Sequence, residues 1–158
     1  MAQSRAARLR VDKLRIAALA EILMLHRDPE HLAEHLPTLR LMLRPMDTLE
    51  ALAASLVPAL SRALPDGISV SVEPAQAQPG SGSLPGQAIP SLALTLATTP
   101  PRDGVARDLE ELFRALSTPV IGRIRDSAFH LDLRNLETAE PLLALVDELA
   151  ERAAGAFA

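Results

Sequence analysis

Three stretches carry the side chains best suited to chemistry. The first is Pro79–Pro90, PGSGSLPGQAIP, with glycines at Gly80, Gly82 and Gly86. Glycine reaches backbone shapes that other residues resist, and amides turned inward that way can cradle an anion. Ser83 places a hydroxyl among them. A loop of this composition is either an active-site element or a structural crossover, and composition alone leaves both open. The second stretch is the start of the chain, where Arg5, Arg8, Arg10 and Lys13 cluster. A planar guanidinium grips two oxygens of an oxyanion at once, so arginines suit phosphate-like ligands. The plainer alternative, which composition favours, is a solvated basic helix start. The third is His31 and His35, four residues apart beside Glu30 and Glu34. That is the spacing of two metal ligands on one helix face. No third ligand is evident and the HExxH order is absent, so a surface histidine pair is expected and no metal.

Composition narrows the setting. The chain has 158 residues, enough for one domain with a real core. It has no Cys, which removes disulfides, thiolate metal sites and a cysteine nucleophile. No apolar run reaches the roughly 18 residues of a membrane span, and the N-terminus has no secretory pattern. A cytoplasmic protein without membrane contact is the expectation. Net charge is −4, so overall charge does not predict nucleic-acid binding. Fifteen of the sixteen basic residues are Arg, and Lys13 is the only lysine.

Periodicity gives the elements that must hold these residues. Val11–His26 is apolar on nearly every side, and such a helix needs cover on several faces. In a chain this small the cover would come from another domain or a second subunit. Leu32, Leu36, Leu39 and Leu43 form the next stripe, with Pro37 opening a short helix. Asp47 with Glu50 resembles a capping box for a helix to Leu64, and Pro58 should kink or split it. Pro65-Asp66-Gly67 is a turn. Ile68–Glu73 and Ser91–Ala97 alternate as half-buried strands on either side of the glycine-rich loop. Asp103 can cap a helix whose apolar face includes Leu109, Leu112 and Phe113. Val120–Arg125 and Ala128–Leu133 read as a hairpin around Asp126-Ser127, with Phe129, Leu131 and Leu133 facing one way and His130 and Asp132 the other. Leu142, Leu145, Val146 and Leu149 mark a closing helix, and the tail AAGAFA should fray. The expected fold is α+β: N-terminal helices, then a small, mainly antiparallel sheet with helices on one face. A helical segment over 1–66 and a small α+β domain over 67–158 are the expected divisions.

Three segments, LRVDKLRIAALAEILMLHRDPE, GSGSLPGQAIPSLALTL and TPVIGRIRDSAFHLDLRNL, taken in this order and spacing, resemble the C-terminal part of bacterial selenocysteine synthases. These are L-seryl-tRNA(Sec) selenium transferases, pyridoxal-phosphate enzymes of fold type I. The resemblance runs from about Leu9 through nearly all of the chain. It implies the small C-terminal domain of such an enzyme. It implies a reaction in which seryl-tRNA(Sec) and selenophosphate yield selenocysteinyl-tRNA(Sec), with the cofactor as electron sink.

The family's Schiff-base lysine lies N-terminal to everything matched, so the resemblance implies a fragment without catalytic residues, binding no cofactor alone and working as part of a homo-oligomer. Lys13 corresponds to a different family lysine and reads as an ion-pair residue at a helix start. The family's opening motif, Arg-Ala-Leu-Arg-x-Asp-Lys, suggests an oxyanion pair. Arg10 inherits the second arginine, while the first falls on Ala7, with Arg8 one residue late, about 100° around a helix. Arg10 and Arg8 are thus the oxyanion candidates. The core Gly-Ser-Leu-Pro-Gly, Gly82–Gly86 here, is a family landmark, which makes Gly82, Ser83 and Gly86 candidates for a loop bordering the active site. An interaction module that pairs with full-length subunits through its apolar first helix is the non-catalytic alternative.

Overall fold

The computed structural model describes residues 12–78 and 88–157. The chain divides into two units, one ending at Arg40 and the other running from Leu41 to Ala158.

In the first unit, α1 (Lys13–Leu25) begins where Asp12 accepts a hydrogen bond from the Arg15 amide at 2.9 Å. A carboxylate at that position satisfies one of the orphan amides of the first turn. No residue of α1 is buried, and Leu14, Ile16, Leu19, Leu23 and Met24 are all more than half exposed. The sequence therefore made the helix apolar all round, and the described residues leave it bare. A short helix, α2 (Leu32–His35), follows. The helix α3 (Pro37–Met42) contains the boundary between the units.

The second unit is a four-stranded antiparallel sheet backed by helices, the expected α+β class. Its strands are β1 (Ile68–Ala77), β2 (Ile89–Thr98), β3 (Arg123–Arg125) and β4 (Ala128–Asp132), in the order β1-β2-β4-β3. On it pack α4 (Met46–Ala63) and α5 (Asp103–Arg114), and α7 (Val146–Ala156), preceded by the short α6 (Glu140–Leu143), packs against both of these helices. The division expected after residue 66 falls between α4 and β1, and α4 lies on the sheet.

The core follows the alternation of the strands. Leu94 and Leu96 of β2 and Phe129 and Leu131 of β4 meet Leu49, Leu56 and Leu60 of α4, Leu109 and Phe113 of α5, and Leu149 of α7. The Phe113 and Phe129 rings lie 5.3 Å apart, tilted by 40°, a favoured geometry for two ring quadrupoles. Each fully buried side chain of this size contributes about 1.5–3 kcal/mol relative to exposure. Glu148 ties α7 to the end of α5, because both its oxygens accept from the Ser117 amide at 3.0 and 3.1 Å. These bonds, with Arg152 alongside, hold its carboxyl below the usual glutamate range.

Several local expectations are corrected. Pro45 occupies the N-cap of α4 without a side-chain bond, so Asp47 and Glu50 form no capping box. Asp47 lies inside the first turn and accepts from the Thr48 amide at 2.6 Å. Pro58 does not split α4, which runs unbroken to Ala63 because Leu56, Ala59 and Leu60 are buried on both sides of it. Asp103 is the first residue of α5 rather than its cap, where its charge still complements the helix dipole. The closing helix is divided into α6 and α7. The described part of the tail is ordered rather than frayed: α7 continues to Ala156, with Ala153 buried and Phe157 against the core. The turn at Asp126-Ser127 is as expected, with φ of 51° and 60° at the two residues, the pattern of a type I′ hairpin. Gly67, at φ 94°, makes the turn into β1.

Gly122 sets where β3 approaches β4. A Cβ there would stand 2.5 Å from the Phe129 ring and 2.6 Å from the His130 carbonyl oxygen. Backbone cannot yield as a flexible side chain does, so Gly122→Ala should cost about 1–3 kcal/mol through overpacking. Urea unfolding would read it as a lower midpoint at unchanged slope. An unchanged midpoint would show that the close approach is not a constraint.

Candidate functional site

Residues on one face of a strand recur every second position, so the register defines the face turned away from α4, α5 and α7. One row across it reads Ser71, Thr95, His130, Arg123, from β1 through β2 and β4 to β3. The next row reads Glu73, Ala93, Asp132. The alternation that sends Phe129 and Leu131 into the core sends His130 and Asp132 here, as the sequence predicts.

The row is hydrogen-bonded. His130 Nε2 lies 3.1 Å from the Arg125 carbonyl oxygen, and Nδ1 lies 3.0 Å from Thr95 Oγ1. A carbonyl oxygen can only accept, so Nε2 donates to it, while Nδ1 shares a hydrogen bond with the Thr95 hydroxyl. Both ring nitrogens are engaged, which holds the ring in place.

Asp132 anchors the next row. Its Oδ1 accepts from Ser91 Oγ at 2.6 Å and from the Arg134 amide at 3.0 Å, capping the 3-10 turn Leu133–Asn135. That turn reverses the alternation and directs Arg134 inward, where it is only 4% exposed. Its Nη1 donates to the carbonyl oxygens of Leu41, Met42 and Arg44 at 3.2, 3.0 and 3.0 Å. Two hydrogens serve three acceptors there, so at least one is shared. Nη2 donates to the Pro90 carbonyl oxygen and faces Met46 Sδ at 3.6 Å, while Nε has no partner. Arg44 donates in turn to the Leu136 carbonyl. Burial first, and then the Arg134 charge, lowers the pKa of Arg44, with Glu137 opposing.

Beside these rows lies an open groove of about 1050 Å³, to which Gln76, Arg123, Arg125, His130, Asp132 and Asn135 contribute. Gln78 and Ala88, the described residues on either side of 79–87, also line it. The candidates Gly82, Ser83 and Gly86 lie outside the described residues, as do Arg8 and Arg10. Lys13 opens α1 and is exposed; Asp12 pairs with Arg15 at 3.4 Å rather than with it. His31 pairs with Asp28 at 3.0 Å, which raises the imidazole pKa and lowers that of the carboxyl. No group of three metal-ligating side chains occurs among the described residues, and none of their helices is long and apolar enough to cross a membrane.

Sequence reasoning missed Ser91, Thr95, Arg123 and Arg134. The available signal was the Asp132–Leu133–Arg134 spacing at a strand end, where a carboxylate two residues before an arginine can cap the turn that buries it.

Such a unit, an antiparallel sheet with helices on one face and a polar groove on the other, is a small α+β domain. Its family is shown by comparison. The L-seryl-tRNA selenium transferase family matches residues 2–137, and the chain belongs to that family. An L-seryl-tRNA(Sec) selenium transferase of Klebsiella pneumoniae (strain 342) is 49% identical over 132 residues, covering 82% of this chain and 28% of its own length. One of Serratia proteamaculans is 44% identical over 135 residues, 85% of this chain and 29% of its own length. One of Methylocella silvestris is 44% identical over 144 residues, 89% of this chain and 30% of its own length. The chain thus spans about three tenths of these relatives.

The family's pyridoxal phosphate does not fit the residues described. An imine to that cofactor needs a lysine amine in a sheltered pocket. The only lysine is Lys13, exposed on α1 and absent from the groove lining.

The Arg134 fork makes a direct prediction. Hydrogen bonds to a charged donor contribute about 1.5–3 kcal/mol each, and their loss strands carbonyls. Arg134→Met should therefore destabilise the protein by more than about 2 kcal/mol. Arg134→Lys should not rescue it, because an ammonium cannot reproduce the planar fork. Stability within error of wild type in either variant, by urea unfolding, would contradict the assignment.

Proposed function

We propose that this chain serves selenium transfer to seryl-tRNA(Sec) as the small α+β domain of the enzyme. The substrates would be seryl-tRNA(Sec) and selenophosphate, and the product selenocysteinyl-tRNA(Sec). The observation that carries this reading is the match of relatives with that activity across most of the chain. The cofactor lysine is assigned to sequence outside these 158 residues, so the chain alone would bind no pyridoxal phosphate and turn over no substrate. Arg10, with Arg8, would hold the selenophosphate oxyanion, and Gly82, Ser83 and Gly86 would border the reacting groups. The setting is the cytoplasm, in a homo-oligomer.

A second reading is favoured by the bare α1. Its unburied apolar side chains suit a chain that pairs with full-length subunits without contributing to catalysis.

A chimera separates the two. Replacing the matching segment of the Klebsiella relative with this chain should preserve selenium transfer, and Arg10→Ala in that chimera should raise the KM for selenophosphate. A chimera that folds and assembles but transfers no selenium would favour the pairing module. The isolated chain mixed with pyridoxal phosphate should show no imine absorption. A band lost in Lys13→Ala would overturn the reading.

A further inference from the structure

We propose that the groove on the open face of the sheet is an oxyanion site for a phosphate of the RNA substrate, anchored by Arg123. This rests on the reading that the substrate is an aminoacylated RNA.

The polar groups around the groove differ in what they have left to offer. His130 has both nitrogens engaged, by Thr95 and by the Arg125 carbonyl. Oδ1 of Asp132 holds Ser91 and the Arg134 amide. Arg125 is paired with Asp126 at 3.0 Å. Arg134 is buried and spent on carbonyls. Arg123 is exposed, lines the groove and has no partner among the described residues. It is held in register opposite His130 at the end of the polar row.

Asn135 also lines the groove, as do Gln76 and Gln78, the first of these two on β1 at the far edge of the sheet from β3. A guanidinium without a carboxylate partner can bind an oxyanion in bidentate fashion. The groove, at about 1050 Å³, is far larger than one phosphate and admits an extended ligand. Its described lining contains no Phe, Tyr or Trp, the aromatic side chains on which successive bases of a single strand stack. Contacts would go to the phosphate backbone, which positions a nucleic acid without reading its sequence.

The test is fluorescence polarisation of a labelled short single-stranded RNA titrated with the full 158-residue chain at low salt. Arg123→Gln should weaken binding roughly tenfold and lower the salt slope by about one. Arg123→Lys should fall between, since it keeps the charge and loses the fork. Arg107→Gln on α5 should bind like wild type. Thermal unfolding checks that each variant is folded. Equal RNA affinity in wild type and Arg123→Gln would overturn the proposal, as would an equal loss in Arg107→Gln. Calorimetry with inorganic phosphate is the second arm. Phosphate heat lost in Arg123→Gln while RNA affinity stays unchanged would assign the site to a free phosphate donor and overturn the RNA assignment. None of these results depends on selenium transfer. An inactive chimera with Arg123-dependent RNA binding would defeat the functional reading and leave the groove assignment standing.

Discussion

The structure of the second unit depends on a buried charge without a carboxylate partner. Removing a guanidinium from water is costly, and an ion pair usually offsets that cost. Here backbone carbonyls do so instead. Arg134 gathers Leu41, Met42 and Arg44 before α4 and Pro90 at the start of β2. Segments more than forty residues apart in sequence converge on one side chain. Asp132 makes this possible by capping the turn that swings Arg134 inward, and Ser91 holds Asp132 from the neighbouring strand. The hydrophobic effect packs α4 and α5 on the sheet, and α7 on them, without regard to direction. The Arg134 bonds add direction, because each acceptor must lie on the guanidinium plane.

The same residues shape the open face. Ser91, Ala93 and Thr95 of β2 are buried on this face, and longer polar side chains on β3 and β4, Arg123, Arg125, His130 and Asp132, line the groove. Gly122 lets β3 close in on Phe129, which keeps Arg123 in register with His130. The core side and the polar side of the sheet are therefore set by one alternation, and a change in register would invert both.

Much of this was legible from residue order. Period-two alternation located β1, β2 and β4, and heptad-like leucines located α4 and α5, because both signals are local. The Asp126-Ser127 turn was legible for the same reason. What failed were features decided by distant contacts. Pro58 was expected to kink or split its helix, yet α4 is not split, with Leu56 and Leu60 buried on either side of it. The tail was read as frayed, yet Ala153 and Phe157 find the core. Only the Asp132 cap hinted at the inward turn of Arg134; its acceptors lie some forty to ninety residues away and left no local signal. At the site, His130 and Asp132 were placed on the polar face by alternation alone, while Thr95 and Arg123 needed the strand order. The apolar character of α1 was also plain, and its exposure accords with a chain that spans about three tenths of its relatives.

The central claim is that Arg134 joins the entry to α4, the start of β2 and the polar face into one cooperative element. Native-state hydrogen exchange on the Arg134→Lys variant tests it most directly, because exchange reports local opening segment by segment. The account predicts that amides in 41–46 and 91–93 lose protection together, while those of α5 and α7 keep theirs. Unchanged protection in both segments, or loss in one alone, would contradict it.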